Sequence, residues 1–223
     1  MPAVRAEFGP TLPELVGPRL RALPRAARVA LLAAAAVLVV GFLAALGARG
    51  RTPTTPVVVQ EPVAFNLRYP EASLRQATPP RGTSLRLVTR PGRAQETMTV
   101  RPLALEPYRG DPTVALSLLI PRMMDRLRAT LPEFSFRSEG RTRVNESPGY
   151  QLQYQARVDG RLVYGRRVLL VPQTDEDPSP RSGVQLDLLS QRSPAVANVD
   201  LVGNNGPLKT PFRSFRFGTE RPG

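Results

Sequence analysis

The stretch YQLQYQARVDGRLVYGRRVLLVP, residues 150–172, decides how this chain folds. Two runs rich in Val, Leu and Tyr flank a single Asp159-Gly160 pair. Asp-Gly accepts the positive φ angles of a tight turn, and the flanking runs have the aromatic and β-branched content of strands, so the segment reads as a β-hairpin. Its register depends on which residues share a face. A three-residue loop, Val158-Asp159-Gly160, puts Ala156 opposite Leu162, Tyr154 opposite Tyr164 and Tyr150 opposite Val168. A two-residue loop mixes polar and apolar partners, so the three-residue form is expected.

Upstream, Asp111 followed by Pro112 is an N-cap signal, after which Leu116, Leu119, Ile120, Met123, Met124, Leu127 and Leu131 fall on one helical stripe. This predicts the main helix, kinked at Pro121. Met123 and Met124 read as plastic core packing rather than as a ligand surface. Earlier still, VAFNLRYP (63–70), SLRLVTR (84–90) and ETMTVRPLAL (96–105) alternate apolar and polar residues and predict three antiparallel strands. Downstream, an acidic Pro-rich loop, TDEDPSPRSG (174–183), leads to a strand, VQLDLLSQ (184–191). Ser193-Pro194 then opens a short helix ended by Gly203, a second short helix or turn covers about 207–213, and FRSFRFG (212–218) closes the chain. Helices segregated beside an antiparallel sheet give an α+β sandwich.

The opening FNLRYP, the helix before the ladder of strands, PGYQLQYQ and YGRRVLL in the hairpin, and the closing SFRFG resemble the PsbP-like fold, the sandwich of PsbP, Mog and LpqN-type proteins. The resemblance covers about residues 64–218. It implies an accessory protein that docks onto a larger assembly through its sheet or loops, with no catalytic constellation to carry over. The departure lies in the C-terminal helix, which Gly203, Asn204, Asn205, Gly206 and Pro207 interrupt.

Ahead of this domain, the twenty residues bounded by Val29 and Ala48, VALLAAAAVLVVGFLAALGA, carry no charge, and eighteen of them are apolar. At about 1.5 Å per residue they span roughly 30 Å, the thickness of a bilayer's hydrocarbon core, and without Pro they can satisfy their own backbone as one helix. A transmembrane anchor is therefore expected over 29–48. A cleavable signal peptide, with Ala45-Leu46-Gly47 as a small-residue cleavage pattern, is the weaker reading, because the tail is long and the apolar run exceeds the roughly 7–15 residues of such segments. Arg19, Arg21, Arg25 and Arg28 precede the run, and only Arg49 and Arg51 closely follow it. The positive-inside rule thus places the tail in the cytoplasm and the C-terminal domain outside. The expected organisation is a mostly disordered tail (1–28), the membrane helix (29–48), a Pro/Thr linker (49–62) and the α+β domain (63–218). Gly41 and Ala45 form a small-xxx-small pair, weak support for helix dimerisation.

Composition narrows the chemistry. The 223 residues contain no His, Cys or Trp, so imidazole acid–base catalysis, thiolate nucleophiles, disulfides and zinc sites are excluded. Lys209 is the one Lys, and there is no G-x-S-x-G, G-x-G-x-x-G or Walker A sequence. No enzyme activity, cofactor or metal is expected. A paired-carboxylate hydrolase would need two acids in one cleft, and Asp187 alone is placed to be partly buried.

Five of the 31 basic and two of the 18 acidic residues precede residue 49, so the rest carries 26 against 16. That excess is compatible with an anionic partner, such as lipid headgroups, envelope polymers or an acidic protein face, but Arg-rich coding bias filling exposed positions is the preferred reading. The candidate contacts are Arg157, Arg161, Arg166 and Arg167 on the hairpin, with a second cluster of Arg86, Arg90, Arg93 and Arg101. Nucleic acid is not expected, since 6 % aromatic residues give no stacking ladder. Asp175, Glu176 and Asp177 lack the spacing of a calcium loop, and Asn145-Glu146-Ser147 is a chance-level glycosylation match. The sequence thus predicts a membrane-anchored, non-enzymatic extracytoplasmic binding or adaptor protein of a bacterial envelope. The alternative is a carrier of a small ligand or lipid, using a cavity between sheet and helix near Met123 and Met124.

Overall fold

The computed structural model describes residues 24–48, 53–172 and 180–220. The chain divides at Arg51/Thr52 into two units. Among its described residues the first holds the helix α1 (Arg25–Ala48), of 24 residues. Its Ala- and Leu-rich composition without Pro favours uninterrupted helix. Among the described residues no helix is long and apolar enough to cross a membrane.

The second unit holds two antiparallel sheets. The strands are β1 (Thr55–Val59), β2 (Phe65–Tyr69), β3 (Leu74–Gln76), β4 (Leu85–Thr89), β5 (Glu96–Ala104), β6 (Ser135–Val144), β7 (Ser147–Val158), β8 (Arg161–Leu170), β9 (Ser182–Gln191) and β10 (Arg216–Phe217). The large sheet runs β3-β4-β5-β9-β8-β7-β6, and the small one β1-β2-β10. The 49–62 segment read as a linker therefore already carries β1, whose Val57 pairs with Leu67 and is buried in the core. FNLRYP is a strand as expected, but it belongs to the small sheet rather than beside the other two early strands.

Because successive strand residues point to opposite faces, the large sheet builds two cores at once. One face, with Leu85, Leu87, Met98, Val100, Val168, Leu170, Val184, Leu186 and Leu188, packs against Phe65, Leu67 and Phe215 of the small-sheet layer. The Phe65 and Phe215 rings stack at 5.5 Å. The other face, with Leu152, Tyr154, Leu169 and Val171, is covered by the helices.

Those helices are two, where one kinked helix was expected: α2 (Pro112–Ser117) and α3 (Ile120–Thr130). Asp111 caps α2 as expected, accepting from the Thr113 N–H at 2.9 Å and the Thr113 hydroxyl at 2.7 Å. Pro121 lacks the N–H that a continuous helix would need and is suited to a first turn, so it starts α3 rather than bending a longer helix. Leu116, Ile120, Met123 and Leu127 are buried on the sheet.

The hairpin register also differs from expectation. Val158 pairs with Arg161, leaving a two-residue loop in which Asp159 and Gly160 have φ of 50° and 73°. Tyr154 consequently faces Gly165, not Tyr164. A Cβ at Gly165 would stand inside the Tyr154 ring, so the absence of a side chain there is what lets the ring lie across the strand. The expectation failed because both faces of the hairpin are covered: on the second face Gln151 is not a misplaced polar residue but the acceptor for Arg166, at 3.0 and 2.7 Å.

At the C-terminal end, the helix expected after Ser193-Pro194 reduces to one 3-10 turn (Val199–Leu201) capped by Asn198, and α4 (Lys209–Ser214) is the second short helix. The turn and α4 are joined through Gly203 and Gly206, both at positive φ.

Candidate functional site

The part of the helix-bearing face that the helices leave open lies over β4, β5 and β9. Cross-strand pairing brings Arg86, Thr99, Asp187 and Arg167 into one row, with Arg101 opposite Gln185 in a neighbouring one. Where α3 meets this surface there is a cleft of about 250 Å³ lined by Gly82, Arg101, Pro102, Met123, Arg126, Leu127, Thr130, Arg167 and Gln185.

Each basic group reaches the cleft for a local reason. Arg167 alternates with the buried Val168 and so points to the helix side, where it donates from Nε to Asp187. Gln185 donates to the other Asp187 oxygen at 2.6 Å. Arg101, near the end of β5, approaches the same carboxylate only to 3.9 Å, beyond hydrogen-bond reach, and its side chain is 47 % exposed. Arg126 comes from the exposed flank of α3, one residue before the buried Leu127. Three guanidiniums thus line the cleft, and the Asp187 carboxylate beside it is committed to two of the lining side chains. Tyr154 stands close: burial pushes its hydroxyl up to about 12, the Asp187 charge adds to the rise, and Arg167 opposes it.

A second, larger cleft of about 550 Å³ opens at one end of the sandwich, lined among others by Asn66, Asn145, Ser147, Arg216, Phe217 and Gly218. Asn66 is buried and donates from Nδ2 to the Gly218 carbonyl at 2.9 Å, while its Oδ1 has no partner among the described residues.

The four hairpin arginines do not converge. Arg157 and Arg161 are exposed at the turn end of the hairpin, and Arg157 pairs with Glu133 at 2.7 Å. Arg166 is buried on the small-sheet side, fixed by Gln151, by the Val202 carbonyl at 3.2 Å and by the Phe212 ring 4.6 Å from its guanidinium carbon. Arg167 alone lines the open cleft. Of the second cluster, Arg86 and Arg101 share the cleft face, whereas Arg90 is tied to the Glu71 carbonyl at 2.6 Å. Arg126 escaped the sequence reading, because nothing in a helix pattern says which strand residues its flank will meet.

A cleft lies at Met123, but Met124 does not line it and three of its nine lining residues are Arg. Its volume lies below the roughly 300–1,000 Å³ of pockets for drug-sized ligands. The Asn145 amide nitrogen is occupied by the Arg213 and Phe215 carbonyls at 2.9 and 2.6 Å, which leaves the glycosylation tripeptide a turn rather than a presented acceptor. Asp175, Glu176 and Asp177 lie outside the described residues. Asp187 is held among cations and an amide, not beside a second acid as paired-carboxylate chemistry would require.

A hidden carboxylate sits on the opposite face. Glu96 is 3 % exposed, and burial pushes its carboxyl from 4.5 to about 7 although the Leu208 N–H pulls the other way. The loop closes directly over it: a Cβ on Gly206 would be 2.8 Å from its Oε1.

No family model matches the chain, and no curated protein matches it. Among solved structures, cyanobacterial PsbP from Synechocystis sp. PCC 6803 is similar with a TM-score of 0.52 at 11 % identity, over 76 % of this chain and 95 % of that one. LpqN of Mycobacterium tuberculosis, described as involved in cell envelope biogenesis, is similar with a TM-score of 0.46 at 14 % identity, over 74 % and 91 % of the two chains. At such identities the likeness to the cyanobacterial protein speaks to architecture alone, and the architecture of this chain's second unit is the PsbP-like α+β sandwich.

Proposed function

We propose that this protein is a membrane-anchored, non-enzymatic binding or adaptor protein whose sandwich domain works on the outer side of a bacterial cytoplasmic membrane. The observation that carries the reading is α1. Val29, Val37, Leu38, Val39 and Val40 stand 58 to 74 % exposed on it, within a run of twenty uncharged residues. An uncharged run of twenty residues, eighteen of them apolar, is costly to expose to water and favourable in a bilayer. The Arg excess before the run supports a cytoplasmic N-terminus. The absence of His and Cys removes the usual nucleophile–base pairs, which supports binding rather than catalysis.

Two measurements on intact cells test it. The chain should stay with membranes after alkaline carbonate extraction, and external protease should remove the domain while sparing an N-terminal tag. Release into the soluble fraction, or digestion of the N-terminal tag alone, overturns the anchor or its orientation. Cross-linking followed by mass spectrometry should then recover a discrete envelope component, and recovery of only abundant bystanders overturns the adaptor role.

A further inference from the structure

We infer that the cleft between α3 and the open face of the large sheet is a binding site for a phosphate-type oxyanion. Three observations meet there. Arg101, Arg126 and Arg167 come from a strand, a helix and a second strand, so the fold, not a run of sequence, assembles them. The acid beside the cleft, Asp187, is already taken by Arg167 and Gln185, which holds those two side chains in place, and among the described lining residues three are cationic and none is acidic. The remaining fork groups are available: Arg101 makes only a long ion contact with Asp187, at 3.9 Å and with its side chain 47 % exposed, and Arg126 has no side-chain partner among the described residues.

A planar guanidinium fork matches the oxygen edges of a phosphate, and forks from different directions can address different oxygens of a tetrahedral anion. Thr130 at the rim donates its hydroxyl to the Arg126 carbonyl at 2.8 Å, so the donors facing the cleft are the guanidiniums. Size agrees with charge. About 250 Å³ holds an oxyanion with a few waters, at about 30 Å³ per water, and does not hold an acyl chain as well. The site stands on the cleft alone, so a chain that failed to partition into membranes would still bind here.

The test uses the full chain in a neutral detergent and follows its melting temperature in potassium phosphate against potassium chloride at equal ionic strength. Phosphate should stabilise the protein in a saturable way, as ligand linkage requires. R101Q/R126Q should weaken that response at least tenfold, and R157Q/R161Q, which removes the same charge from the hairpin end, should leave it unchanged. Equal stabilisation by phosphate and chloride, an undiminished response in R101Q/R126Q, or an equal loss in R157Q/R161Q overturns the site. If R101Q/R126Q melts early without ligand, R126Q alone, read by phosphorus-31 line broadening of inorganic phosphate, decides by the same tenfold criterion. Glycerophosphoglycerol, the soluble headgroup of phosphatidylglycerol, separates the sources. Binding as tight as that of inorganic phosphate assigns a lipid headgroup, binding of inorganic phosphate alone assigns a free or monoester phosphate, and response to neither overturns the inference.

Discussion

Arg166 and Arg167 are adjacent in β8, yet they serve opposite faces of the large sheet. Arg166 is buried against Phe212 and Gln151 on the small-sheet side, and Arg167 is ion-paired with Asp187 on the helix side. The period of two along a strand turns a dibasic pair into two unrelated structural roles. Their substitutions should therefore separate.

Replacing Arg166 by Met removes a buried, fully bonded cation while keeping most of its volume, whereas Gln151 and the Val202 carbonyl lose their donor. We expect a loss of about 1–3 kcal/mol from the orphaned acceptors, with phosphate binding unaffected. Urea unfolding of the variant checks it, and a shift in phosphate response without a stability loss would contradict the assignment of Arg166 to the core.

Replacing Asp187 by Asn breaks the pairing that positions Arg167, whose side chain is 14 % exposed. Leaving that charge partly buried and unpaired should cost about 2–4 kcal/mol, toward the low end because solvent reaches both groups. Urea denaturation at low and high salt reads this directly, and the loss should persist at high salt, unlike that of an exposed pair such as Arg128–Asp125.

Glu96 makes stability depend on pH. Its folded carboxyl titrates near 7 against an ordinary 4.5, so between these values the native state binds more protons than the unfolded one. Stability should fall as pH rises through that window, by about 3 kcal/mol at most, because a tenfold difference in proton affinity is worth about 1.4 kcal/mol. E96Q should match the wild type near pH 4 and exceed it near pH 8; a difference independent of pH would refute the buried-acid account.

Gly165 should not accept a side chain. G165A drives a Cβ into the Tyr154 ring, and moving that ring disturbs its packing against Phe134 at 5.5 Å. A loss of about 2–4 kcal/mol is expected from overpacking, largely relieved in G165A/Y154L, which thermal melts of the single and double variants can show.

For the proposed anchor, V37R/V40R places two charges near the centre of α1. At about 2.5–3.5 kcal/mol per Arg on insertion scales, a substantial fraction of the protein should leave the membrane pellet after carbonate extraction. Full retention of the doubly charged variant in the pellet would argue that α1 is not the anchoring element.

Much of the architecture was legible because it depends on local rules. The Asp159-Gly160 turn, the Asp111-Pro112 cap and the apolar stripe Leu116, Ile120, Met123, Leu127 each follow from neighbours within a few residues. The failures have a common cause. By partner matching a two-residue loop mixes polar and apolar residues, but Gln151 and Arg166 satisfy each other in a covered face. The helix was read across Pro121 because the stripe continues past it. β1 reads as linker because its Pro- and Thr-rich start looks extended, and the pairing with β2 that makes it a strand is a tertiary contact.

The sequence by itself determined the absence of thiol and imidazole chemistry, the apolar run at 29–48, the helix cap, the turn and the alternation of the strands. All are matters of residue type or of contacts close along the chain. Only the tertiary structure decided which arginines keep company. Arg101, Arg126 and Arg167 are 66 positions apart from first to last in the chain and meet because β5, β8 and α3 pack around one face. Arg166 and Arg167, one position apart, never meet, because a strand sends consecutive side chains to opposite sides.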